Sequence, residues 1–176
     1  MIIKGENCIL RPVSKDDFTK IYKWFNDDEV VDNIVGFRFS FSLEDSLEWC
    51  LEASKTNLKN IKWMIDVMGN EFRTVGFIGL YNIDLINKNA EVGIIIGDNN
   101  FRGKGIGTEA LKLSCDFGFK YLGLRLIYAY ILSSNTISLN LFKKNGFKEE
   151  CIMHNRVFRN GLWHDIYVLT LEKEDV

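Results

Sequence analysis

Arg102-Gly103-Lys104-Gly105-Ile106-Gly107-Thr108 is the stretch on which the reading of this 176-residue chain turns. It stands between an aliphatic, strand-like run, Ala90 to Gly97, and a segment in which Ala110, Leu113, Ser114, Phe117 and Tyr121 recur every three or four residues. That spacing predicts a helix with one apolar face from about Thr108 to Tyr121. Three glycines in five residues let the main chain curl until successive amide N–H groups converge, and the helix start adds unpaired donors and a positive dipole end. Such a nest binds phosphate oxygens, whereas without a ligand it is only a glycine-rich turn. A nucleotide P-loop carries its Gly-Lys pair at the end, before Ser or Thr, but here Gly103-Lys104 opens the loop and Gly105 follows. A dinucleotide fingerprint needs a third glycine where Thr108 stands and an acid about 20 residues later, where the next strand offers apolar Leu126 and Ile127. The loop therefore argues for an anion site, and against both nucleoside triphosphate hydrolysis and NAD binding.

Outward from the loop, Cys8 to Pro12 reads as a first strand, and Ser14 with Asp17 is a capping-box-like start to a helix running to about Asn26, buried through Ile21, Trp24 and Phe25. Ser42 and Asp45 repeat that signal for a second helix with Leu43, Leu47, Cys50 and Leu51 on one side. The intervening residues, Asp27 to Phe41, read as irregular. Trp63 to Met68 and Thr74 to Tyr81 read as strands joined by a turn at Gly69 and Asn70, and with Ala90 to Gly97 they predict an antiparallel meander. Leu126 to Leu132 is a further strand, Thr136 to Asn145 a short helix stopped by Gly146, and Phe147 to Met153 and His164 to Leu171 the last strands, with Asn160-Gly161 as a hairpin signal. No repeat or linker divides the chain. The expectation is one α/β domain over residues 1–176, its mixed, mostly antiparallel sheet flanked by about four helices.

Composition narrows the function. Twenty-two Lys and Arg against 24 Asp and Glu leave a net charge of -2, so no global positive field holds a nucleic-acid backbone. Cys8, Cys50, Cys115 and Cys151 lie far apart with no CxxC pair, and His154 and His164 are the only histidines, so no metal site is expected and four free core thiols are. Lys4, Gly5 and Glu6 interrupt the apolar start, so no secretion signal is read, and no aliphatic stretch approaches a membrane span. A soluble, cytoplasmic protein is the expectation.

The loop also resembles the pyrophosphate loop of the GCN5-related N-acetyltransferases: Gln or Arg, two residues, Gly, one residue, then Gly or Ala. A second segment agrees. Asn135-Thr136-Ile137-Ser138-Leu139-Asn140-Leu141-Phe142-Lys143-Lys144-Asn145-Gly146-Phe147 is similar to the family's Asn-x-x-(Ala/Ser)-x-x-Leu-(Tyr/Phe)-x-x-x-Gly-Phe run, and Leu10-Arg11-Pro12 and the element order extend the resemblance over the chain. The subgroup it resembles contains ribosomal-protein and spermidine N-acetyltransferases. The resemblance implies acetyl-CoA as cosubstrate. Its pyrophosphate would lie on the amides of Arg102, Gly103, Lys104, Gly105, Ile106, Gly107 and Thr108. Its pantetheine would run along Ile94, Ile95 and Ile96, where two central strands splay apart, and Asn135 would reach the pantetheine amides. An N-cap role for Asn135 is compatible with that.

Acetyl transfer needs a neutral amine, a polarised carbonyl and an acid for the departing thiolate. An alkylammonium has a pKa of about 10.4, so a base or desolvation must release its proton. Glu91, at the start of the central strand, is the first candidate base and His154 the second; a main-chain N–H near Ile95 or Ile96 would polarise the carbonyl. Many family members use a tyrosine as acid where this chain has Phe142; resemblance to the ribosomal-protein subgroup, which has a serine one helical turn earlier, implies Ser138 as the candidate acid, with water as the alternative. Asp27, Asp28, Glu29 and Asp32 form either an acidic rim for a cationic amine or a solvated helix terminus.

The expected acceptor is the primary amine of a small molecule: a polyamine, amino sugar or aminoglycoside. The paired glutamates associated with polyamine acceptors appear here as Gly36, Phe37 and Arg38. Phe37, Phe39, Phe41 and Trp49 are either core or the wall of an apolar or sugar-stacking pocket. Trp24-Phe25-Asn26-Asp27 is reminiscent of amino-sugar acetyltransferases. Alternatives are N-terminal acetylation of a ribosomal or other protein, for which the expected late glutamate is replaced by Val157, and a non-catalytic acyl-CoA sensor. Neither nucleic acid nor membrane is an expected partner; the resemblance leaves a homodimer open, because dimers are common in the family, but nothing in the sequence fixes an interface.

Overall fold

The computed structural model describes residues 1–36, 39–55, 57–69 and 72–173. Eight strands form one sheet: β1 (Ile3–Lys4), β2 (Cys8–Pro12), β3 (Ile61–Val67), β4 (Arg73–Asp84), β5 (Asn89–Ile96), β6 (Leu126–Leu132), β7 (Lys148–Arg159) and β8 (Leu162–Glu172). Their spatial order is β1-β2-β3-β4-β5-β6-β8-β7. Every neighbouring pair is antiparallel except β5 and β6, which are parallel and joined by the crossover helix α4 (Ile106–Lys120). The other helices are α1 (Phe18–Phe25), α2 (Asp28–Val31), α3 (Leu43–Ser54) and α5 (Thr136–Lys144).

Local chemistry explains most of these boundaries. Ser14 and Asp17 close a capping box, but on a 3₁₀ turn, Lys15–Asp17, that leads into α1. Ser42 and Asp45 close the same box on α3. Asn160 and Gly161, at φ 49° and 80°, make the two-residue turn between β7 and β8 that their sequence signals. Two elements are additions to the expected set. Asp27 caps α2 by accepting from the Glu29 N–H, and the two-residue β1 pairs with β2. The expected turn at Gly69 and Asn70 lies partly outside the described residues, as do Phe37 and Arg38.

Helices cover both faces. One core joins α4 and α5 to the sheet through Leu10, Ile65, Ile78, Leu80, Leu111, Ile127 and Leu169; the other packs Ile21, Trp24, Val30 and Cys50 of α1 to α3 against Met64 and Phe77. Helix α3 corrects one expectation: Leu43, Leu47 and Leu51 are exposed, and Ser46 and Cys50 face inward. Small side chains let α3 approach α1 closely, which leaves the leucines on its outer surface. Tyr121 is also exposed, because α4 meets the sheet through Ala110, Leu111, Ser114, Cys115 and Gly118. Of the four free thiols, Cys8, Cys50 and Cys115 are buried and Cys151 is exposed, on the edge strand. Among the described residues no helix is long and apolar enough to cross a membrane.

The parallel pair is short. β5 and β6 pair only from Asn89 to Glu91 with Leu126 to Tyr128; beyond that β5 stays bonded to β4 through Ile96, and β6 to β8 through Leu132. The sheet opens there into a gap at the carboxyl ends of two parallel strands, the position at which open α/β sheets bind ligands. Gly76 helps shape its wall: a Cβ on it would stand 2.1 Å from the Ile95 carbonyl oxygen, so only glycine allows β4 this approach to β5.

Candidate active site

The gap widens into a cleft of about 920 Å³ that runs from the glycine loop to the helices α1 to α3. Glu91, Ile94, Ile95, Ile96, Arg102, Gly103, Gly105, Gly107, Thr108, Asn135 and Ser138 all line it. Gly105, the N-cap of α4, is left-handed at φ 81° and offers no side chain to the helix start, and Gly103 is left-handed at φ 72°. A Cβ on either would meet nothing within 4 Å, so open space lies over the helix's first N–H groups. The acid in the first turn, Glu109, is turned aside, accepting from the N–H groups of Glu6 and Asn7 and from the Asn7 side chain. The buried Ile106 anchors the helix start, and Lys104 lies over the Phe101 ring at 5.3 Å.

Arg102 reaches back into the fold. Its Nε donates to the Ile96 carbonyl (3.1 Å) and its Nη1 to Glu29 Oε2 (3.3 Å). Glu29 also accepts from Asn99, while Asp27 caps α2; of Asp27, Asp28, Glu29 and Asp32, only Glu29 lines the cleft. Asn135 is an N-cap: its Oδ1 accepts from the Ser138 N–H (3.0 Å), while its Nδ2 donates to the Asn33 carbonyl (3.1 Å) and ties α5 to the end of α2. Phe142, in the tyrosine position, is buried edge-on against Phe147, ring centroids 4.9 Å apart.

Glu91 pairs across the sheet with Tyr81 of β4 and with Tyr128 of β6, at the last rung before the gap. Its half-buried carboxylate accepts from Asn82 Nδ2 (3.1 Å). Burial pushes its pKa up, and the Asn82 hydrogen bond offsets only part of that. His154 does not reach the cleft. It is exposed on β7, with Nδ1 3.1 Å from Asp165 Oδ2. The reason is the sheet order: β8, the later strand, inserts beside β6 and displaces β7 to the edge, two strands from the gap. His154 is therefore removed from the candidate bases.

Two cleft residues, Lys62 and Tyr81, and one residue that does not line the cleft, Arg159, go unmarked by the sequence. Lys62 and Tyr81 line the end of the cleft beside Trp49, and Lys62 shares with Met64 the face of β3 that is turned to α1 and α3. Arg159, buried at 4% exposure at the tip of β7, donates to the carbonyls of Val31, Asp32 and Ile34 and so fastens the hairpin to the end of α2. Phe41 packs on Phe25 (4.9 Å) and Phe39 is exposed, so among the described members of this aromatic set Trp49 is the one that lines the cleft. Among the described residues no group of three His, Cys, Asp or Glu side chains is placed to hold a metal.

Known proteins share this arrangement. The uncharacterized N-acetyltransferase YoaA of Bacillus subtilis is 26% identical over 174 residues, 98% of this chain and 97% of that protein. The spermidine N(1)-acetyltransferase of Escherichia coli (strain K12) is 27% identical over 162 residues, 89% and 81% respectively. The solved spermidine N-acetyltransferase of Vibrio cholerae, in complex with CoA and spermine, has the same fold with a TM-score of 0.86 at 21% identity, covering 96% of each chain. A family model described as an acetyltransferase (GNAT) domain matches residues 7–148, from the start of β2 through the opened sheet, the glycine loop and α5. With that much of the chain inside the match, the protein belongs to the GNAT family and is an N-acetyltransferase.

Proposed function

We propose that the protein transfers the acetyl group of acetyl-CoA to the primary amine of a small molecule, by direct attack of the amine on the thioester. The observation that carries this reading is the gap between β5 and β6, which joins a glycine-lined helix start at one end to the partly buried carboxylate of Glu91 at the other. The open space above Gly103 and Gly105 suits a pyrophosphate, with backbone N–H groups and the α4 dipole supplying the attraction that a net charge of -2 does not. The thioester supplies an activated acetyl group.

The chain's residues supply the rest. Glu91 takes the proton of the incoming ammonium, and its raised pKa makes it a better matched base than an ordinary glutamate. A main-chain N–H at Ile95 or Ile96, on the unpaired edge of β5, donates to the carbonyl oxygen as negative charge develops there. Ser138, which lines the cleft one helical turn before Phe142, gives a proton to the departing thiolate; Phe142 has none to give.

Thiol release from acetyl-CoA, measured with polyamines, amino sugars, aminoglycosides and peptides, tests the activity. The expected result is release that depends on a small amine. Tight acetyl-CoA binding without release on any amine would overturn it in favour of a sensor. Gly105→Val tests the loop: a β-branched residue pays roughly 1–2 kcal/mol to stay left-handed, so the free loop relaxes away and the acetyl-CoA Kd, by calorimetry, rises about 5- to 30-fold. An unchanged Kd would remove the loop from the site.

A further inference from the structure

Lys62 stands at the acceptor end of the cleft and, among the described residues, has no anionic partner. Across the sheet it faces Gly79, and Gly79 faces Gly93. Neither glycine has a side chain, so the Tyr81 ring lies across both: a Cβ would stand 2.7 Å from it at Gly79 and 3.2 Å from it at Gly93. The Lys62 ammonium sits 4.8 Å from the centroid of the Trp49 ring and 5.8 Å from that of Tyr81. Among the described residues it makes no ion pair, and Glu52, the acid whose charge reaches it, is bound to Lys55. Burial lowers the Lys62 pKa, with Glu52 opposing. This ammonium has exchanged part of its hydration for two aromatic faces, a weaker return than a charge-assisted hydrogen bond.

An acceptor that brings an anion restores the missing interaction; one that brings a second cation adds repulsion in a poorly hydrated corner. Glu91 lies two strands and one two-residue step away, about 12 Å between Cα atoms from ordinary strand spacings. Phe25, Trp49 and Phe77 line the cleft as an aromatic wall on the α1 and α3 side. We propose that the acceptor is a primary amine that also carries a carboxylate or phosphate, held with the anion on Lys62, its body against Trp49 and Tyr81, and its amine towards Glu91. This rests on the acetyl-transfer reading above and replaces a polycation with an anionic amine as the substrate class.

Matched acceptors test it: lysine against cadaverine, tyrosine against tyramine and tryptophan against tryptamine for the carboxylate, and glucosamine 6-phosphate against glucosamine for the phosphate. Turnover is read as kcat/KM, and binding is read separately by calorimetry on CoA-loaded protein. The expected result is that the anionic member of at least one pair is favoured tenfold or more. Lys62→Met should erase at least tenfold of that preference, mainly through KM, and Lys62→Arg should keep most of it. The arm that responds identifies the anion. Preference for the plain amines, an equal preference in Lys62→Met, or no tighter binding of any anionic member overturns the proposal. Thiol release on plain amines with no dependence on Lys62 defeats this inference alone; acetyl-CoA binding with no release on any amine, while anionic members still bind through Lys62, defeats the acetyl-transfer reading instead.

Discussion

Glu91→Gln is expected to lower kcat by about 10²- to 10⁴-fold near neutral pH, the usual contribution of a positioned base. The amide keeps the shape of the carboxylate and can still accept from Asn82, so a loss of this size reports the missing proton acceptor and not a collapsed site. Its pH dependence is specific. In the wild type the acid limb of kcat/KM follows Glu91, whose pKa burial holds above the ordinary glutamate value. Below that pKa the wild type loses its base in step with the variant's loss of free amine, so the ratio of the two rates levels off. Towards pH 10 the free amine appears without help, and the two enzymes converge. The deficit is therefore greatest at and below the Glu91 pKa and shrinks above it. Parallel pH–rate profiles measure it, and a variant profile with the same acid limb as the wild type, at a constant ratio up to pH 10, would exclude Glu91 as the base.

Arg11→Met is expected to cost about 3–5 kcal/mol at pH 7, because it strips the partner from two buried carboxylates. The guanidinium donates from Nε to Asp66 (2.7 Å), from Nη1 and Nη2 to the two oxygens of Asp17 (2.9 and 2.7 Å), and from Nη2 to Thr74 (3.1 Å). Asp17 and Asp66 are only 3% and 5% exposed. For Asp17, burial acts to raise the pKa, but the bonds from Arg11 and the Ser14 N–H outweigh it and hold the value below normal. The wild type thus keeps this contribution at neutral pH and loses it as pH falls through the depressed pKa. In the variant burial acts on Asp17 without the arginine, its pKa rises, and the sign reverses: stability should increase as pH falls from 7 towards 4. Urea denaturation at pH 7, 5.5 and 4 reads both effects. A loss under 1 kcal/mol at pH 7 with no reversal would show that the arginine is dispensable.

These two residues differ in how far their roles could be read from the chain. Glu91 is an acid in an aliphatic strand next to the loop, and its candidacy follows from that position. Arg11 is visible as part of Leu10-Arg11-Pro12, but its partners come from the turn before α1 and from β3, 6 and 55 residues away. His154 shows the opposite failure. The β7 and β8 hairpin is legible from Asn160-Gly161, yet nothing local says which of its strands lies beside β6. That choice depends on how each strand's side chains pack under α4 and α5, and it puts His154 at the sheet edge. The leucines of α3 mislead for a related reason: their spacing marks an apolar stripe, while close packing on α1 selects the smaller Ser46 and Cys50.

What the order of residues settles alone is local. Glycine at Gly103 and Gly105 permits the left-handed loop, Ser and Asp pairs start helices, and a strand, a loop and a helix in succession make the helix start proposed as the anion site; all depend on neighbours within a few residues. The proposed acceptor site depends on contacts at long range. Lys62 meets Trp49 and Tyr81, Asn135 meets Asn33, and Arg159 holds the end of α2 from 125 or more residues away, each through a pairing that exists once the sheet has assembled and opened between β5 and β6. Short-range chemistry therefore marks the loop proposed to hold the donor, and the registers of β3, β4 and β5 set Lys62 and Glu91 apart at the positions proposed for the two ends of the amine.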